Sequence, residues 1–457
     1  MALIFRLRKT GFLFFLAVSF QIARAQDGIA VHNYALNRPG VVMIKTVYSA
    51  KVSVNKMRMD ERAFYQLLDK IQKADTAGAV FSQEQKLDIV LRIMNNYPAR
   101  FFKKSLETIE EKQEITATGT GFLITGDGYV ATNSHLIDRD NAFIRRQFIL
   151  TAFQEITQAH INAFESSWAA TFNEQQKNLL NNTYASLYSK LFPMTLSDLQ
   201  KTVYVVYRVD SNNTETTETR AANIIIKGSP MPGKDVAILK IDGDTTLPDL
   251  KMADKDLPLV GEQLFVYGYP GPVTNNDFVS AVSAIEPTLT TGIVSAIKKS
   301  VNGWPVIQMD ANINHGSSGG PVCNSEGAVV GLTTFGSLEN SGSLAAGLNF
   351  SIPISILYEF MDSAGIEHSV SRSTSLFSEG LNYFEKCYFG KAIRDFQEVK
   401  KINAHYPTLD HYILACRQNI AAKKDIQSIR DRYIWIVILA ILLLLVIYLI
   451  VRKKFFS

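Results

Sequence analysis

Three short stretches of this 457-residue chain place a histidine, a carboxylate and a serine in settings suited to nucleophilic catalysis. The serine lies in Asn314-His315-Gly316-Ser317-Ser318-Gly319-Gly320-Pro321, a turn of small residues directly ahead of the apolar Val322. Glycine adopts backbone angles closed to other residues and lets another chain come close, so such a turn can present a serine hydroxyl on a sharp bend. The same bend can aim backbone N–H groups from Gly316, Ser317 and Ser318 at one point, where they would stabilise an oxyanion. Gly316 and Ser318 are the two expected to donate. A serine hydroxyl is a weak nucleophile, so Ser318 needs a base to take its proton and an acid to hold that base in one tautomer.

Two other stretches supply those parts. Thr118 to His135 reads as a β-hairpin with a Gly126-Asp127-Gly128 turn that delivers His135 just past its second strand. In Gly233-Lys-Asp-Val-Ala-Ile-Leu-Lys-Ile241, Asp235 opens a strongly apolar strand. Taken singly, a histidine after a hairpin is ordinarily structural and an aspartate before a strand is ordinarily a turn former. Together they run His, Asp, Ser along the chain, which is one of the known orders of the catalytic triad. No metal or organic cofactor is implied.

The elements that must position these residues alternate between two characters. Residues 41–48 are β-branched and short, as a strand requires, and from Glu114 strand character returns. Between them apolar residues at three- and four-residue spacing predict a helical insertion over about 58–106, and a second helical block is expected over 141–200. From Thr202 to about Ile354 short apolar runs alternate with Gly, Asn, Asp and Pro turns, the rhythm of closed antiparallel barrels. After a Ser-rich joint at 369–375 the pattern is helical again.

The two ends carry address signals. Residues 1–25 combine Arg6, Arg8 and Lys9, an apolar run and Ala23-Arg24-Ala25, the order of a secretory signal peptide. Tyr433 to Val451 carries no charge and is followed by Arg452, Lys453 and Lys454, so one transmembrane helix is expected there with a cytoplasmic tail over 452–457. Residues 26–432 would then lie outside the cytoplasm. A net charge of +4 with both signs spread along the chain gives no electrostatic case for a nucleic-acid partner. Cysteine is limited to Cys323, Cys387 and Cys416, which is no disulfide framework, although a Cys387–Cys416 bridge stays open.

The quoted segments resemble the trypsin-like serine proteases, most closely their HtrA (Deg) branch. The similarity rests on Gly119-Thr-Gly-Phe-Leu-Ile124 with Thr132-Asn-Ser-His135, on Asp235-Val-Ala-Ile-Leu-Lys240 and on Gly316-Ser-Ser-Gly-Gly-Pro321, and it covers roughly residues 39–58, 114–138 and 202–362. The resemblance implies a mainly β, two-barrel chymotrypsin-type protease domain over 26–365, interrupted by the helical insertions. His135, Asp235 and Ser318 match the family's catalytic triad. It also implies polypeptide substrates and leaves homo-oligomers open.

Two departures stand out. His315 and Ser317 occupy positions where the family usually has proline and asparagine. The chain has no apparent PDZ domain; instead Leu376–Ala404 resembles one tetratricopeptide (TPR) unit, with a capping helix over 408–422, inside a helical region spanning 366–430. That region is expected to act as a spacer from the bilayer or as a site for a protein partner. Position 312, where basic-specific trypsins carry an acid, is Asn312, so the expected cleavage preference is for a small apolar residue. The competing expectations are a catalytically silent, membrane-tethered scaffold, and an enzyme held inactive until a partner reorders the His315 loop.

Overall fold

A computed structural model describes residues 28–76, 80–168, 171–211, 214–242, 246–271, 280, 283–338, 344–426 and 434–446. Twelve strands close into two barrels. The first contains β1 (Val41–Met59), β2 (Phe102–Leu123), β3 (Tyr129–Thr132), β4 (Thr195–Ser211), β5 (Thr214–Lys227) and β6 (Ala237–Ile241), in the order β1-β2-β3-β6-β5-β4. The second contains β7 (Gln263–Gly268), β8 (Thr288–Lys299), β9 (Pro305–Met309), β10 (Pro321–Cys323), β11 (Val329–Leu338) and β12 (Leu344–Pro353), in the order β10-β11-β12-β9-β8-β7. The expected two-barrel architecture is therefore what the chain adopts, but helices occupy at least as many of the described residues as strands, so the chain is not mainly β. Closure leaves neither sheet with an open edge.

The chain divides into two compact units, residues 1–46, 117–138 and 203–457 in one and 47–116 with 139–202 in the other. The second unit has its own core, in which Val90, Leu91 and Met94 join Phe148, Leu180 and Leu187. Its longer helices, Glu61–Thr76, Gln83–Asn96, Asn141–Trp168 and Glu174–Lys190, fall inside the expected insertions. The strands, however, run further into those insertions than the sequence reading placed them. β1 extends through Met59 because Ala50, Val52 and Val54 alternate with exposed or half-buried polar residues, a period-two pattern. β2 starts at Phe102, and β4 starts at Thr195 inside the block read as helical to residue 200.

Beyond the second barrel come helices Ile354–Ala364, Arg372–Glu385, Phe389–Ile402 and Leu409–Ala421. The two middle helices form a close hairpin. Gly380 makes this possible, since a Cβ there would lie 2.7 Å from the Phe396 ring. The region is fastened to β4 and to the segment that follows β6. Ser371, which caps the helix Arg372–Glu385, donates through its amide and hydroxyl to Asp249; Asn403 Nδ2 donates to Thr246 O at 3.0 Å; and the Asp210 amide donates to His405 O at 3.0 Å. All three cysteines are free, and burial pushes the Cys416 thiol up to about 12.

The expected signal peptide, residues 1–25, lies outside the described residues, as does the tail 452–457. Of the expected transmembrane segment, residues 434–446 are described, helical and exposed, and the remainder lies outside. Among the described residues no helix is long and apolar enough to cross a membrane.

Candidate active site

Strand register brings the histidine and the aspartate together. β3 and β6 are antiparallel with Thr132 opposite Ala237, so the residues following 132 and those preceding 237 leave the sheet at the same end. Side chains then fix the exit. Asn133 Nδ2 donates to Asp235 O at 2.7 Å, and the Ser134 hydroxyl bonds to the carbonyls of Gly228 and Val236, both at 2.9 Å. His135 follows on a single helical turn, Ser134–Ile137. Its Nδ1 lies 2.6 Å from Asp235 Oδ2, and its own amide donates to Asp235 Oδ1 at 2.9 Å. Asp235 is 1% exposed, so its charge depends on these donors for the stabilisation that water would otherwise give. A carboxylate can only accept here, which places the imidazole proton on Nδ1 and leaves Nε2 with a free lone pair.

The serine turn is built from backbone contacts. β10 pairs with β11 with Pro321 opposite Leu332, and the ladder continues through Thr333 N to Gly320 O at 2.9 Å and Gly319 N to Thr333 O at 2.8 Å. Two glycines are required. Gly316 has φ 98° and a Cβ there would meet Tyr269 O at 2.3 Å; Gly319 has φ 81° and a Cβ there would meet Thr120 O at 2.2 Å.

The carbonyls of residues 315–318 all find donors. His315 O accepts from Gly271 N at 2.7 Å, Gly316 O from the Thr120 hydroxyl at 2.7 Å, Ser317 O from the Thr333 hydroxyl at 2.5 Å and Ser318 O from Thr120 N at 2.9 Å. The amides behave differently. Ser317 N donates to Asn314 O at 2.9 Å and Gly319 N is used in the ladder, whereas the Gly316 and Ser318 amides donate to nothing among the described residues. Of the three residues expected to form an oxyanion hole, Ser317 therefore has its N–H committed elsewhere, and Gly316 and Ser318 retain theirs.

Ser318 is linked to the His–Asp pair through Thr334. The Ser318 hydroxyl donates to Thr334 O at 3.0 Å, and the Thr334 hydroxyl donates to Asp235 Oδ2 at 3.1 Å. Among the described residues no hydrogen bond joins Ser318 to His135. Asn312, at the position expected to influence specificity, is exposed and accepts from the Thr290 hydroxyl through its carbonyl. The sequence reading missed Thr334 and Thr120. Thr120 lies in a segment that it quoted and Thr334 in the stretch it read as short strands, but nothing in a lone strand threonine signals that its hydroxyl points at a neighbouring carboxylate or carbonyl.

The family described as "Trypsin-like peptidase domain" matches residues 119–332. Over 141 residues the chain is 34% identical to a "Probable periplasmic serine endoprotease DegP-like" of Halomonas elongata, covering 30% of this chain and 27% of that protein. It is 27% identical over 254 residues to a protein of the same description from Hahella chejuensis, covering 55% and 36%. It is 33% identical over 138 residues to "Protease Do-like 1, chloroplastic" of Arabidopsis thaliana, covering 28% of each. The chain thus spans from 27% to 38% of the length of such relatives. These similarities lie with trypsin-like peptidase domains and serine endoproteases.

Proposed function

We propose that the chain is a serine endopeptidase that hydrolyses exported polypeptides, misfolded ones among them, with His135, Asp235 and Ser318 as its triad. The observation that carries this reading is the 2.6 Å contact between His135 Nδ1 and the buried Asp235, which leaves Nε2 as the free base. In the reaction the Ser318 hydroxyl turns from Thr334 O to Nε2 and gives up its proton as Oγ attacks the peptide carbonyl. Asp235 stabilises the imidazolium, and the Gly316 and Ser318 amides receive the oxyanion. The imidazolium then protonates the leaving amine, and water, deprotonated by His135, releases the acyl group and restores Ser318.

A small apolar residue is preferred before the scissile bond, since Asn312 supplies no negative charge for a basic one. Residues 1–25 direct export, and Tyr433–Val451 anchors the chain with the protease domain on the periplasmic or extracytoplasmic side. The hairpin 372–402 acts as a TPR-like surface for a protein partner.

The Ser318 bond to Thr334 favours a second reading, in which the fold is a silent membrane-tethered scaffold or waits for a partner to release that hydroxyl. Incubating the full chain with unfolded casein separates the two. Fragments formed by the wild type but not by Ser318→Ala support the enzyme; intact casein with and without added peptides supports the scaffold, and cleavage only with added peptides supports the waiting enzyme.

A further inference from the structure

The peptide between the Gly316 and Ser318 amides is held on both sides. The Gly316–Ser317 peptide donates through Ser317 N to Asn314 O at 2.9 Å and accepts through Gly316 O from the Thr120 hydroxyl at 2.7 Å. Thr120 sits at the end of β2 and is fully buried. Its hydroxyl has one proton to give. Tyr269 N donates to the same oxygen at 2.9 Å, so that proton goes to Gly316 O. The Thr120 amide holds Ser318 O at 2.9 Å, and its carbonyl is itself fixed by the Thr132 hydroxyl at 2.7 Å. One residue thus grips the turn on both sides of the Ser318 amide. A backbone carbonyl held this way cannot rotate without leaving buried donors unpaired, and that cost resists movement of the adjoining N–H groups.

We infer that Thr120 is a positioning residue for the oxyanion hole: its hydroxyl fixes the Gly316–Ser317 peptide, which lies between the Gly316 and Ser318 amides and limits how far they can turn, while taking no part in substrate binding. The inference rests on the endopeptidase reading above and deepens it. Interactions made only with the transition state affect kcat and leave KM largely unchanged. Thr120→Val keeps the shape and β-branching but removes the donor to Gly316 O and the acceptor for Tyr269 N, whereas Thr120→Ser keeps both.

The test measures kcat, KM and inhibition by a peptide aldehyde, whose adduct carries the oxyanion, for the full-length wild type, Thr120→Val and Thr120→Ser. The expected result is a kcat lower by about ten- to a hundredfold in Thr120→Val, less than the loss of a whole oxyanion donor. Aldehyde affinity should fall by a similar factor, with KM within about twofold, and Thr120→Ser should stay within about threefold of wild type throughout. If the valine variant does not fold, Thr120→Ala carries the same expectation. Wild-type kcat in a folded hydroxyl-free variant overturns the inference while leaving the protease reading intact, and so does an equal loss in Thr120→Ser. A wild type that cleaves nothing overturns the protease reading first.

Discussion

His135 and Asp235 leave neighbouring strands of the first barrel and meet side chain to side chain, whereas the turn at 314–320 in the second barrel is held peptide by peptide through its carbonyls. The first half concentrates its chemistry in replaceable side chains on a robust frame: the ladder from β3 to β6 would persist with either side chain altered. The second half has no such separation, because its shape and its free N–H groups are the same object. Loss of a side chain in the first half should therefore affect rate far more than folding, and loss of a glycine in the second should affect both.

Ser318→Ala gives the largest expected effect, a fall of at least about 10⁴-fold in kcat with an unchanged melting temperature, since the hydroxyl has a single carbonyl partner. Asp235→Asn comes next, at about 10⁴-fold, because the amide presents a donor where the imidazole N–H needs an acceptor. Its stability should fall by only about 1–2 kcal/mol, measured by denaturant unfolding. Gly319→Ala sharpens the comparison from the other side. The added Cβ meets a backbone oxygen at 2.2 Å, so a loss of at least about 2 kcal/mol of stability should accompany the loss of activity. Thr334→Val, which removes the donor to Asp235 but keeps the carbonyl that Ser318 uses, should lower kcat by about tenfold. A Gly319→Ala chain as stable as wild type, or an Asp235→Asn chain that fails to fold, would break the distinction between the halves.

Where residue type alone implies a role, the site could be read from the sequence. His135 after its hairpin, Asp235 before an apolar strand and Ser318 among glycines needed no coordinates to be singled out. The barrels were legible from the turn rhythm beyond Thr202, while the outer reaches of β1 and β2 were hidden by their charge. Lys103, Lys104, Glu110, Glu111 and Lys112 sit on a strand that is mostly exposed, so burial imposes little apolar alternation. Thr120 and Thr334 were not legible because their importance depends on which carbonyl or carboxylate lies opposite, a property of register between strands far apart in the chain. The Ser317 amide was assigned with its neighbours because a run of small residues does not reveal which peptide of a turn is already bonded. The placement of the C-terminal helices rests on Thr246 and Asp249 beyond β6 and on Asp210 in β4, three residues whose positions look ordinary in sequence.

The central claim is that the Ser318 hydroxyl can be activated by the His135 imidazole. Reaction of the folded, full-length chain with a fluorophosphonate, followed by peptide mass spectrometry, tests it most directly. The account predicts one adduct per chain, on Ser318, formed far more slowly in His135→Ala. A folded chain that takes up no reagent with or without added peptides, or one that reacts at Ser318 equally fast without the imidazole, would contradict it.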